Sequence, residues 1–286
     1  MTIRNPLEWT TDQLGHAMHG LGAARHAIHP TEEELGLAPP EVRRIAVADV
    51  AEALRAGARD FAACRTDVMF IGIVYATAGL LIARIAAGAD MLPLIFPLVS
   101  GFALLGPVAA AGLYEMSRRR ERGEAVGWGD AFGVFASPSI AAIATLGLVL
   151  AILFALWLAA AMGLYAVTLG PEMPASAAAF AEALFGTAAG WTLIVVGIGV
   201  GALFALAALT IGVVSFPLLL DRRVRVTTAV GTSIRAVARN PLPMLVWGAV
   251  VAGTLLLGAL PLLLGLIVVI PVLGHATWHL YRRVVA

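Results

Sequence analysis

Residues 242–281 read LPMLVWGAVVAGTLLLGALPLLLGLIVVIPVLGHATWHLY, a run in which no Asp, Glu, Lys or Arg occurs and the only histidines are His275 and His279. An α-helix rises about 1.5 Å per residue and the hydrocarbon core of a bilayer is about 30 Å thick, so about 20 residues cross it and this run of about 40 is long enough for two passages. It therefore has to fold back. Gly258-Ala-Leu-Pro261 supplies the turn, because Gly relaxes the backbone and Pro opens a following helix at its first turn. The competing reading is one long bent helix, five spans in all, with the C-terminus on the opposite side.

Working outward, the rest of the chain has the same character. Hydrophobic residues make up 60% of it and charged ones 13%, with a mean hydropathy of +0.91, outside the range of soluble domains. Further apolar runs extend from about Val68 to Ala83, Met91 to Leu113, Ile140 to Val167 and Trp191 to Leu220, the last with a bend expected at Pro217. The expectation is an all-α membrane protein whose six transmembrane helices form three hairpins, each preceded by a short interfacial amphipathic helix. Residues 1–40 read as a cytoplasmic His-containing tail and linker, 41–66 as an amphipathic cytoplasmic helix and 67–286 as the six-helix domain. The first strongly apolar run begins near Val68, too late for a targeting segment.

Arginine placement sets the orientation, since basic residues stay on the cytoplasmic side. Arg118, Arg119, Arg120 and Arg122 follow the second span, Arg222, Arg223, Arg225, Arg235 and Arg239 follow the fourth, and Arg282 and Arg283 close the chain. Both termini are thus expected in the bacterial cytoplasm, with the protein in the inner membrane. The same arginines can bind anionic lipid headgroups, so they serve lipid contact, topology or both. Tyr114 and Tyr281 are expected at the inner interface, Tyr165 and Trp191 at the outer. Gly197, Gly201 and Ala205 make a four-spaced row of small residues suited to close helix packing, as do Gly72 and Ala76, within the bundle or in a homo-oligomer.

A weak repeat runs through the chain. Ahead of the odd-numbered spans, apolar residues recur at i, i+4, i+7: Leu54, Ala58 and Phe61, then Trp128, Phe132 and Phe135, then Val230, Ile234 and Val237. Each stripe predicts a helix lying in the inner interface.

Candidate chemistry rests on histidine. His275 and His279 stand one turn apart on one helical face, a spacing that can chelate a transition metal or clasp a haem propionate. No Asp, Glu or Cys inside the spans offers a further ligand, so the alternative is a polar pair near a helix C-terminus with Trp278 and Tyr281 as interfacial anchors. His16, His19, His26 and His29 form two HxxH pairs that a continuous helix would place within an arc of about 140°, or else belong to a poorly ordered tail. Cys64, the lone cysteine, excludes an intrachain disulfide and reads as structural. No Walker loop, G-x-S-x-G, H-E-x-x-H or CxxC occurs.

The segments Arg43-Arg-Ile-Ala-Val-Ala-Asp-Val, Gly112-Leu-Tyr-Glu-Met-Ser-Arg-Arg-Arg, Trp128-Gly-Asp-Ala-Phe and Gly274-His-Ala-Thr-Trp-His-Leu-Tyr-Arg-Arg together resemble a family of bacterial predicted integral membrane proteins catalogued as a domain of unknown function. Some of its members carry a cytochrome c oxidase subunit I label. A haem-copper centre needs histidines on several spans, whereas the later spans here offer His275 and His279 alone, so that label transfers no ligand.

Three functions stay open on the sequence. One is a non-enzymatic scaffold or accessory subunit touching lipid and membrane-protein partners. Another is a permease for an uncharged or lipid-linked solute, with a polar cavity lined by Tyr75, Ser100, Thr210 and Ser215. The last is a metal or haem handling factor in respiratory oxidase assembly. Nucleic acid is not an expected partner and no resident cofactor is required.

Overall fold

The computed structural model describes residues 40–64 and 92–286 apart from residue 262, together with Ile73, Thr77, Leu80, Leu81 and Arg84. The expected first span lies, those positions aside, outside the described residues, and so do Gly72, Ala76, Tyr75 and the four N-terminal histidines.

Among the described residues the regular elements are helices, with one isolated antiparallel bridge between Val42 and Val285. In chain order they are α1 (Val47–Ala63), α2 (Ile95–Phe102), α3 (Gly106–Ala109), α4 (Ala111–Glu121), α5 (Ile140–Thr168), α6 (Ala177–Gly186), α7 (Ala188–Gly212), α8 (Ser215–Asp221), α9 (Val226–Arg239), α10 (Pro241–Ala259) and α11 (Leu266–Val284), with short 3-10 turns at Leu92–Leu94 and Ala103–Leu105 and a longer 3-10 helix at Trp128–Ala136. Among the described residues four helical runs are long and apolar enough to cross a membrane: Leu92–Glu121, Ile140–Thr168, Ala188–Asp221 and Pro241–Ala259. Their flanks expose Leu148, Ile152, Leu156, Val195, Ile198 and Leu203, an apolar surface that water would penalise and lipid tails cover.

The quoted stretch does fold back. α10 ends at Ala259 and α11 begins at Leu266, and the backbones at the turn approach so closely that a Cβ on Gly265 would lie 2.7 Å from the Gly258 Cα. The reversal falls a few residues later than Gly258–Pro261 alone suggests, and Leu263 takes a positive φ of 67° within it. At the far end the start of α10 and the end of α11 come together, because Arg43 N–H donates to the Val284 carbonyl and Asn240, ahead of α10, receives Ile45 N–H and donates to the Arg43 carbonyl. The bend in the run Ala188–Asp221 falls between α7 and α8, just before Pro217, which has no N–H for the preceding turn.

The faces that the short helices α1 and α9 bury are lined mainly by small residues. α1 buries Val50, Ala53, Gly57 and Asp60, whereas Ala58 is exposed and Leu54 and Phe61 are half-buried. α9 buries Ala229, Thr232, Ser233 and Ala236 and leaves Ile234 exposed. The physical reason is the same in both: small side chains let backbones touch, and the larger residues flank that contact, with Leu54, Phe61, Val230 and Val237 half-buried against the core and Ile234 exposed. Gly57 shows how close the contact is, since a Cβ there would meet the Ala276 backbone nitrogen of α11 at 2.5 Å. The 3-10 helix likewise turns Phe132 and Phe135 outward, their rings stacked with centroids 6.3 Å apart.

Gly197 and Gly201 face α5: a Cβ on Gly201 would meet the Trp157 ring at 3.1 Å and one on Gly197 the Leu164 side chain at 3.6 Å. Ala205 is exposed. Trp157 also donates its indole N–H to the Pro97 carbonyl at 3.0 Å, tying α5 to α2.

Candidate functional site: a buried polar layer closed by the last helix

The final turns of α11 meet α1, α4 and α8 in a layer of buried polar groups. Its centre is Asp60, 6% exposed, which reaches the interior because it follows Val50, Ala53 and Gly57 on one face of α1. Its Oδ2 accepts the Ser117 hydroxyl at 2.7 Å and the His279 Nε2–H at 2.8 Å, and its Oδ1 accepts Arg120 Nε at 2.9 Å. Ser117 and Arg120 come from α4 and His279 from α11, so one carboxylate joins three helices.

A proton inventory fixes the remaining partner. Ser117 has a single hydroxyl proton and commits it to Asp60, so the 2.7 Å contact with His275 Nδ1 requires the imidazole to donate. The Nδ1 of His275 thus carries a proton, and its Nε2 is buried without a hydrogen-bond partner among the described residues. Burial opposes ionisation of Asp60, but the hydrogen bonds from His279 and Ser117, aided by electrostatic attraction to His279, outweigh it and hold the carboxyl below its ordinary value.

The neighbouring turns repeat the pattern. Trp278 donates to Glu121 at 3.0 Å, Tyr281 to Asp221 at 2.7 Å, and Arg282 reaches Glu121 at 3.0 Å. Arg283 pairs with Asp49 at 2.8 Å and Glu52 at 2.6 Å. Glu115, 2% exposed, is held between Arg118 at 2.7 Å and Arg119 at 2.8 Å, and Arg119 continues to Asp130 at 2.6 Å. Arg222 adds a bond to the Ala286 carbonyl. Glycines admit this crowding: a Cβ on Gly112 would lie 2.8 Å from the Ala131 carbonyl, and one on Gly274 2.5 Å from the Leu113 side chain.

Several expectations are corrected here. Acidic partners for the histidines and arginines do exist; Asp60 comes from the amphipathic helix, and Glu115 sits where the helix of the run Leu92–Glu121 continues beyond Leu113. Tyr114, Trp278 and Tyr281 are 2%, 1% and 1% exposed, so they pack inside this layer instead of anchoring at a lipid interface. Tyr165 is also buried, its hydroxyl on the Glu172 carbonyl, while Trp191 stays exposed. Of the arginines singled out, Arg118, Arg119, Arg120, Arg222, Arg282 and Arg283 have carboxylate partners, and Arg223 and Arg225 are exposed. Cys64 is buried.

Among the described residues no group of three or more His, Cys, Asp or Glu gathers as a metal site. His279 spends Nε2 on Asp60 and His275 spends Nδ1 on Ser117, so the two imidazoles do not face a common point with free nitrogens. Of the residues named for a polar permeation cavity, Ser100 bonds the Pro97 carbonyl within α2, and Ser215, at the start of α8, bonds the Ile211 carbonyl at the end of α7.

The four segments that carried the family resemblance supply part of this layer, Asp49 from the first, Glu115 to Arg120 from the second, Asp130 from the third and His275 to Arg283 from the fourth, while its centre Asp60 and Glu52, Glu121, Asp221 and Arg222 lie outside them. No curated protein and no solved structure matches the chain. Residues 95–221, from α2 through α8, match the family model described as Predicted integral membrane protein (DUF2189), so this part of the chain is similar to an integral membrane domain of unknown function.

Proposed function

We propose that the chain is a non-enzymatic inner-membrane scaffold or accessory subunit, with six spans in three hairpins and both ends in the cytoplasm. The observation that carries this reading is the polar layer itself. Asp60 is saturated by three donors from two other helices, and Ser117 gives its proton to that carboxylate and not to an imidazole. A serine nucleophile needs the opposite arrangement, with its hydroxyl donating to a basic nitrogen. This network closes helices together. Around it, Phe132, Phe135 and Ile234 present large apolar side chains outward on short helices, as interfacial helices do. The return of α11 beside α1 and the arginines at the ends of the spans support an even span number with the layer on the cytoplasmic side.

Affinity purification from native membranes, with mass spectrometry, tests the reading. It predicts a stoichiometric membrane-protein partner that is lost in a Phe135→Ser, Ile234→Ser variant of unchanged fold. A solitary protein that supports solute flux in proteoliposomes would contradict it. A second reading, metal or haem handling, is favoured by the unpartnered Nε2 of His275; stoichiometric metal or a Soret band, removed by His275→Ala, would support it.

A further inference from the structure

A second feature of the charged layer lies apart from Asp60. A cavity of about 370 Å³ opens between the end of α4, the segment after the 3-10 helix and the end of α8. Arg118, Arg119, Arg222 and Arg223 line it together with Ser137 and Ser139. Two carboxylates also border it, Glu115 and Asp221, but Glu115 is held by Arg118 and Arg119, and Asp221 accepts the Tyr281 hydroxyl and sits beside Arg222 and Arg282. With Asp130, which also pairs with Arg119, four guanidiniums meet three carboxylates, and the positive charge left over is that of exposed Arg223, which has no carboxylate partner among the described residues.

The serines add uncharged donors at the right place. Ser139 is the N-cap of α5, a helix of 29 residues, yet its side chain makes no capping bond. Ser137 Oγ accepts the Ser139 N–H at 3.2 Å and the Ser137 carbonyl the Ile140 N–H at 3.0 Å, so what remains for an external acceptor is the proton of each serine hydroxyl, at the positive end of a long helix. Arg119 is positioned by Glu115 and Asp130 and passes over Gly133, where a Cβ would lie 2.8 Å from its Nη2; any side chain there would displace the guanidinium from the cavity wall. We propose that this cavity binds a phosphate group of net negative charge, held by Arg118, Arg119, Arg222 and Arg223 with Ser137 and Ser139. Planar guanidiniums match phosphate oxygens in geometry as well as charge. The cavity lies where the runs Leu92–Glu121 and Ala188–Asp221 end and Ile140–Thr168 begins, the level of lipid headgroups, so the phosphate of an anionic phospholipid and a free phosphate both present the fitting chemistry. The inference goes beyond the scaffold reading and does not depend on a protein partner.

The test uses the full chain in neutral detergent micelles, followed by native mass spectrometry, with phosphatidylglycerol, phosphatidylcholine and inorganic phosphate as probes. A lipid site predicts one phosphatidylglycerol bound in preference to phosphatidylcholine, with affinity about tenfold weaker in the Arg223→Ala, Ser139→Ala variant and unchanged in Arg239→Ala. Displacement of that lipid by millimolar inorganic phosphate, or saturable phosphate binding without lipid, assigns the site to a soluble phosphate. Should the double variant lose its fold, Arg223→Ala alone, an exposed position, decides by the same criterion. Equal binding of the two lipids with no phosphate binding, or full affinity in the folded variant, overturns the proposal.

Discussion

Replacing Asp60 with Asn tests the polar layer at its centre. The amide keeps the shape of the carboxylate but removes its charge and turns an N–H toward one of its present donors. Oδ2 faces two of them, Ser117 and His279, and Oδ1 faces Arg120. Arg120 is 42% exposed, so its share is screened and counts for at most about 1 kcal/mol. The two interior bonds to a charged acceptor are worth about 1.5 kcal/mol or more each, and one of them is lost outright with a donor left unsatisfied. The sum is about 3 kcal/mol, roughly a hundredfold in the folding equilibrium. Reversible unfolding in mixed micelles, followed by tryptophan fluorescence, reads it, and the double variant with Ser117→Ala should cost clearly less than the sum of the two singles. A change below about 0.5 kcal/mol for Asp60→Asn would refute the reasoning, because a surface carboxylate behaves that way. The pH dependence has a definite sign. The folded-state value of Asp60 lies below its ordinary one, so its contribution is complete above pH about 4 and is lost as pH falls through the lower folded-state value. Asp60→Asn should flatten that acid limb.

Three further perturbations separate the kinds of contact in the structure. Gly57→Ala places a Cβ 2.5 Å from the Ala276 backbone, so α1 must move away from α11; a loss of about 2 kcal/mol and faster hydrogen exchange in residues 47–63 are expected. Arg283→Ala breaks pairs with Asp49 and Glu52 that are partly solvated, and should cost under about 1 kcal/mol, the loss shrinking further in high salt. Tyr281→Phe removes one hydrogen bond to Asp221, which stays beside Arg282 at 3.6 Å; thermal unfolding should show a loss of about 1 to 2 kcal/mol.

The membrane class and the reversal after Gly258 were legible in the sequence, because each follows from local composition or spacing; the row Gly197, Gly201 and Ala205 did not name its partner helix, and Ala205 is exposed. The polar layer was only half legible. His275, His279 and the arginines stand out as polar residues in apolar company, but Asp60 looks like an ordinary charge on an amphipathic helix, 219 residues from its imidazole partner His279. Its alignment with Val50, Ala53 and Gly57 was the available signal, and it was outweighed by the larger residues Leu54 and Phe61. Hydropathy ranks residues by size and polarity, whereas close packing selects the small ones. Tyr114, Trp278 and Tyr281 were misplaced for a related reason: an aromatic residue near a span end is ambiguous between a lipid anchor and a buried donor until its acceptor is known. For Trp278 and Tyr281 those acceptors are Glu121 and Asp221.

The account stands on the closure of the layer by the two ends of the described chain, where Val42 and Val285 face each other across an antiparallel bridge. Paired positions of that kind lie within disulfide reach. Val42→Cys with Val285→Cys, in a Cys64→Ala background, should form an intrachain disulfide in native membranes on mild oxidation, seen as a reducible mobility shift. Absence of the crosslink, with both thiols labelled from opposite sides of the membrane, would contradict the account.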